Sequence, residues 1–185
     1  MIVSFADAVT EGLWTNGRSR KVPANMTRVA LRKLAQIHFA ARLDDLRAPP
    51  GNHLEALAGD RKGQYSICIN DQWRICFEWE DKNVKRKIHR GAAWNLHPGE
   101  ILREEFLKPI EMSSYKLAKN LRVPVPRIHD IVLEKRGITA DTAVRLARFF
   151  GTSPEFWMNA QSFYEVRRAQ TELAHELSRI EPRVA

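Results

Sequence analysis

Between His97 and Asn159 the chain is divided into short helical stretches, each with its own start or stop signal, and this limits what it can fold into. Pro98 followed by Glu100, Glu104 and Glu105 opens the first stretch. Proline suits a first helical turn, and acids favour the positive end of a helix. Its buried positions are Ile101, Leu102 and Phe106. Ser113 or Ser114 caps the second, which puts Leu117, Ala118 and Leu121 on one face. Arg122-Val123-Pro124 turns the chain into a third, predicted over about 126–133, with Ile128, Ile131 and Val132 inward. A fourth spans 139–150 and stops at Gly151. Ser153-Pro154-Glu155 starts a fifth, and helical spacing persists to about residue 180. Its early apolar residues, Phe156 and Trp157, complete a core. Its later ones (Val166, Leu173, Leu177 and Ile180) reach beyond a bundle of this size and need another surface, either the first half or a second copy. The pattern implies an all-α five-helix unit.

Upstream the period changes. A short strand is predicted over 1–5, a helix over 6–15 and a basic loop over 16–23. A second helix covers about 24–41, with Val29, Leu31, Leu34, Ile37 and Leu43 spaced for one buried face and Arg28, Arg32, Lys33 and Arg42 mostly off it. Residues 43–46 add one turn before Pro49-Pro50-Gly51. The spacing then alternates. Residues 65–69 form a strand, Asn70-Asp71-Gln72 a turn and 73–79 the returning strand. Trp73, Ile75, Phe77 and Trp79 share one face of it, while Arg74, Cys76 and Glu78 share the other. Residues 84–89 supply one more strand. This is an α+β unit, two helices on an antiparallel sheet. The seam at 90–96 is short, which gives two touching domains, 1–92 and 93–185.

Composition excludes several classes. No apolar run approaches the roughly 20 residues that span a bilayer, and the N-terminus has no secretory pattern. A cytoplasmic chain without membrane contact is expected. Cys68 and Cys76 read as buried, reduced thiols. No Cys/His spacing suits a metal and no glycine-rich loop suits a phosphate, so neither metal nor cofactor is expected. The formal charge is +8. Residues 1–92 hold 16 Lys and Arg against 10 Asp and Glu, and residues 93–185 hold 14 against 12. Basic surface on both halves suits two polyanion contacts, with ordinary solubility charge as the alternative.

The second and third helices of the later half fit a helix-turn-helix, in which one helix braces on the phosphate backbone and the next shows side chains to base edges. Arg127, His129 and Asp130 are left outward near the start of the presenting helix. Arginine can donate twice to guanine O6 and N7. Ser113, Ser114 and Lys116 open the bracing helix, where hydroxyls, amides and an ammonium hold a phosphate; Lys135 and Arg136 are further phosphate candidates. The alternative is a bundle with a solvated charged face.

On the stretches HPGEILREEFLKP, YKLAK, Arg127-Ile128 and KRGITADTAVRLARFFGTSPEFW, the second half closely resembles HigA-type antitoxins with an Xre, lambda-repressor-like helix-turn-helix, over about 97–164. On LAGDRKGQYSI (57–67) and INDQWRICF (69–77), the first half resembles HigB-type toxins of the RelE-like mRNA interferase superfamily. The resemblance implies a toxin followed by its antitoxin on one chain, with an operator DNA, mRNA on the ribosome and a second copy as partners. It assigns Arg74 to the scissile phosphate. Such cleavage also needs a base, an acid and cations. Arg61 and Lys62 supply charge, and His89, or His53 with Glu55, moves protons. There are departures. The family's Asp-Tyr-His ending is replaced by Val84-Lys85-Arg86-Lys87-Ile88-His89, and Ala58 stands where relatives carry lysine. Arg122 and Glu134 occupy turn positions suited to glycine, at a cost on the order of 1 kcal/mol each, and Glu134 adds like-charge repulsion near DNA. Three readings stand: a DNA-binding autoregulator that neutralises its attached toxin half, an endoribonuclease held inactive by its own antitoxin domain, and a decayed toxin kept as a structural plug.

Overall fold

The computed structural model describes residues 1–80, 94–181 and 183. Helix α1 (Ala8–Asn16) starts where the Asp7 carboxylate accepts the amides of Val9 and Thr10, and ends at Gly17, whose φ of 70° is left-handed. Helix α2 (Ala24–Phe39) is the spine of the first half and buries Ala30, Leu31, Leu34, Ala35 and Ile37. Among the described residues a three-stranded antiparallel sheet follows, in the order β1 (Glu55–Ala56), β2 (Gln64–Cys68), β3 (Arg74–Glu78). The register pairs Gln64 with Glu78 and Cys68 with Arg74. The Asn70 side chain closes the hairpin by accepting the amides of Gln72 and Trp73. Ile67, with Ile75 and Phe77 beside it, packs inward against the core.

Several expectations for this half are corrected. Residues 1–5 form no strand. Ile2 and Phe5 serve as single anchors on the core, with the Phe5 ring 6.3 Å from Trp14, and β2 already has a neighbour on each edge. The cysteines are not buried: Cys68 is half-buried and Cys76 exposed, because alternation puts Cys76 on the outward face with Glu78. Trp73 is exposed, lying past the last ladder pair. Lys33, placed off the buried face of its helix, is 3% exposed, because the second half covers it. The strand expected at 84–89 lies outside the described residues.

In the second half the described residues resume at Trp94. Helix α3 (Pro98–Ile101) runs into a wider turn over Leu102–Leu107 and a tight one over Lys108–Ile110. Helices α4 (Ser114–Leu121), α5 (Val125–Val132), α6 (Ala140–Phe150) and α7 (Pro154–Glu172) follow, then a short α8 (Ala174–Leu177) after a break at Leu173. Ile101, Leu102, Phe106, Leu117, Ile128, Ile131, Leu146, Phe156 and Trp157 are fully buried.

One continuous apolar cluster runs through both halves. Trp94 donates its indole N–H to the Trp14 carbonyl and meets that ring edge-on at 4.8 Å. Polar contacts flank it. The Lys33 ammonium sits 2.6 Å from Glu105 and 2.7 Å from Asn52, Arg32 sits 2.7 Å from Glu105, and Arg28 pairs with Glu100. Burial pushes the Glu105 carboxyl up, but Lys33 and Arg32 outweigh it and hold it below the usual range. Asp45, fully buried, accepts the amide and hydroxyl of Ser153 at 2.6 Å each, at the residue that caps α7. Asn159 donates to the Phe39 carbonyl at 2.9 Å. These groups satisfy one another across the seam, which is the condition for burying charge at all.

Candidate nucleic-acid interface

Helices α4 and α5 are joined by a left-handed residue, Arg122, at φ 54°, and α5 is closed by another, Glu134, at φ 63°. In both places an amide reaches back five residues, Val123 to Ala118 at 3.1 Å and Lys135 to Asp130 at 2.9 Å, which satisfies a terminal carbonyl. Both positions are those where glycine would be expected. Gly99 brings α3 hard against α5, because a Cβ there would overlap the Ile131 carbonyl oxygen. Arg103 caps the end of α5 by donating to the Val132 carbonyl at 2.5 Å and pairing with Glu134 at 2.9 Å. The Glu134 carboxylate is therefore compensated rather than a bare negative charge. Ile138 donates its amide to Gln161 at 2.7 Å, which fixes the link from α5 to α6.

Ser113, not Ser114, is the cap of α4, accepting the Lys116 amide at 3.2 Å. The Ser114 hydroxyl lies 3.4 Å from His129 Nδ1. His129, Lys116, Lys135 and Arg136 are exposed. Arg127 is half-buried and pairs with Asp141, in the first turn of α6. Sequence reasoning missed Asp141, which lies 14 positions away with no local signal. It also missed Tyr115, which is 58% exposed and has the Lys119 ammonium 5.6 Å from its ring centre. The cross-half contacts of Lys33, Asp45, Phe39 and Trp14 land on the wide turn after α3, on the start and body of α7, and on Trp94. The outward residues of α5 stay open.

The expected catalytic residues are not gathered. Arg74 donates to the Ser66 hydroxyl at 2.9 Å and the His53 carbonyl at 2.6 Å, and pairs with Glu55 at 3.2 Å. Arg61 hydrogen-bonds Gln64 at 3.0 Å, and Lys62 is exposed. Gln64 and Arg74 lie at opposite ends of the hairpin, four residues or about 13 Å apart along the strands. His89 lies outside the described residues. Among the described residues no group of His, Cys, Asp and Glu is placed to hold a metal, and no helix is long and apolar enough to cross a membrane.

Residues 3–88 match the model of the RelE-like toxin of the type II toxin-antitoxin system HigB. Toxin HigB-1 of Vibrio cholerae serotype O1 is 38% identical over 82 residues, 44% of this chain and 86% of that protein. Antitoxin HigA-1 of the same organism is 30% identical over 84 residues, 45% of this chain and 79% of that protein. The chain belongs to the HigB–HigA toxin–antitoxin family. The HigB-like part comes first and the HigA-like part second, on one polypeptide. A solved Pseudomonas aeruginosa antitoxin HigA with the higBA promoter is 47% identical, with a TM-score of 0.48, covering 49% of this chain and 100% of that one. The acids that meet α2 of the HigB-like half, Glu100 and Glu105, come from the opening stretch of the HigA-like half.

Proposed function

We propose that the chain is a fused toxin–antitoxin regulator of the cytoplasm. Its second unit, 93–185, reads an operator near its own promoter, and the same unit keeps the first, 1–92, covered. The observation that carries this reading is the orientation of the fusion: α2 is docked on the elements around α3 and α7, while α5 keeps His129 and the following Lys135 and Arg136 outward. Base contact falls to Arg127 and His129, and phosphate contact to Lys116, Lys135, Arg136 and the start of α4. A second copy would place two such helices about one turn of DNA apart. The exposed row Val166, Leu173, Leu177 and Ile180 is the surface that would pair.

The test is fluorescence anisotropy of the full chain on a labelled duplex from upstream of its own gene, over a range of salt. Binding should weaken steeply with salt, and Lys135→Ala or Arg136→Ala should each lower the slope by about 1 while Arg127→Ala relaxes base preference. No binding at low salt would sink the proposal. A second reading, RNA cleavage by the first unit, rests on Arg74, which pairs with Glu55 and donates to the backbone carbonyl of His53. It requires Arg74 to leave Glu55 for a phosphate. Ribosome-programmed mRNA cleavage lost in Arg74→Ala would support it, and absence of cleavage would exclude it.

A further inference from the structure

We propose that Asp141 is a positioning residue for DNA reading: its carboxylate holds the Arg127 guanidinium ready for a base edge, and so sets how well the chain tells its operator from other DNA. This rests on the regulator reading above. Arg127 Nη1 donates to Asp141 Oδ2, the other carboxylate oxygen accepts Arg145 Nε at 3.0 Å, and Arg145 Nη1 donates to the Leu121 carbonyl at 3.0 Å. One carboxylate thus ties the presenting helix α5 to α6 and, through Arg145, to the last residue of the bracing helix α4. The Asp141 side chain is 52% exposed, and its second oxygen is engaged by Arg145 one turn along α6, so the carboxylate bridges two arginines at the surface.

The pairing leaves Arg127 usable. One N–H of the guanidinium is engaged with Asp141, and its side chain keeps 29% of its exposure. The remaining N–H groups include the pair that a guanine edge would accept. Asp141 stands in the first turn of α6, where a carboxylate is favoured by the helix dipole. Hydrogen bonds from Arg145 and then Arg127 hold its carboxyl below the usual range.

A solvated arginine must give up its rotamer freedom to make a bidentate contact, at a cost of up to about thirtyfold in affinity. Asp141 meets that cost in the free protein. This predicts a sign opposite to the one charge alone would give. Removing a carboxylate from a DNA-facing surface should tighten binding to any duplex. Removing a support for Arg127 should weaken binding to the operator in particular.

The experiment uses the full chain, with Asp141→Asn and Asp141→Ala, on the upstream duplex and on a scrambled duplex of equal length and composition, at several salt concentrations. Operator affinity should fall about tenfold while scrambled-duplex affinity holds or rises, so the ratio drops by at least tenfold. Asp141→Glu should recover part of the ratio. In an Arg127→Ala background, Asp141→Ala should leave the ratio unchanged, which shows that Asp141 acts through Arg127; a general loss of stability would lower both affinities together and spare the ratio in either background. Asp141→Asn keeps the shape of the side chain, so the reading does not hang on the alanine variant folding. An operator-to-scrambled ratio that stays the same or rises in Asp141→Asn overturns the proposal. A wild-type chain that binds neither duplex overturns the regulator reading, and this one with it.

Discussion

Replacing Glu105 by alanine removes one of the two acceptors of a buried lysine, Lys33. The Lys33 and Glu105 side chains are 4% and 5% exposed, and without Glu105 the ammonium keeps only Asn52, at 2.7 Å, among its hydrogen-bond partners described above. Removing one partner of a buried ion pair costs about 3–5 kcal/mol, chiefly because the other charge stays desolvated. Arg32, the second partner of Glu105, keeps Glu100 at 3.3 Å, which puts the expected loss near the low end, about 3 kcal/mol. In a chain of this length that lowers Tm by roughly 6–12 °C. The double variant Lys33→Met/Glu105→Met removes the stranded charge along with its partner and should return to within about 1 kcal/mol of the parent. Urea unfolding followed by far-UV circular dichroism and by tryptophan fluorescence measures both, and two of the five tryptophans, Trp14 and Trp94, meet at the seam. The reasoning is refuted if Glu105→Ala stays within about 1 kcal/mol of the parent, or if the double variant is no better than the single one.

Gly99→Ala should cost about 3 kcal/mol and displace α5, because the new methyl meets the Ile131 carbonyl rather than a side chain that could move aside. The loss would show in both the thermal melt and operator binding, and a variant of parental stability would contradict the close approach. Acid should loosen the same region through His97. Burial, with Arg103 and Arg168 adding to it, holds that imidazole below 6.5 against the pull of Glu134 and Glu100, and its Nδ1 accepts the Gly99 amide at 3.0 Å, which requires the neutral ring. A depressed folded value means the contribution is complete above about pH 6.5 and is lost as pH falls through the folded value. Urea midpoints between pH 7 and 5 should therefore fall, and fall less in His97→Asn, which can still cap the helix; equal slopes would exclude His97 as the cause.

The parts of the fold that were legible in the sequence are those decided within a few residues. Ser153 at a helix start, Gly151 at a helix end and the turn through Asn70 each act on their own neighbours, and each stands where it was expected. Arg122 and Glu134 were legible as strained positions for the same reason. What escaped was decided at a distance. Lys33 looked like a solvated lysine because Glu105, which buries it, lies 72 positions away, and Asp45 meets Ser153 across 108. The N-terminal strand was misread because two apolar residues spaced to pack on a core look the same as two on one strand face. Of the candidate site, the outward side chains of α5 were visible from helical spacing, but the carboxylate that holds Arg127 was not.

The pairing of Arg28, Arg32 and Lys33 with Glu100 and Glu105 takes place within a single molecule. Two separate proteins meet in proportion to their amounts, so dilution or unequal synthesis leaves some of one unbound. Tethered partners meet at a local concentration on the order of millimolar, whatever the cell contains. Dosage therefore cannot set the first half loose, whereas a ligand that competes for the same cations would act directly against the pairing.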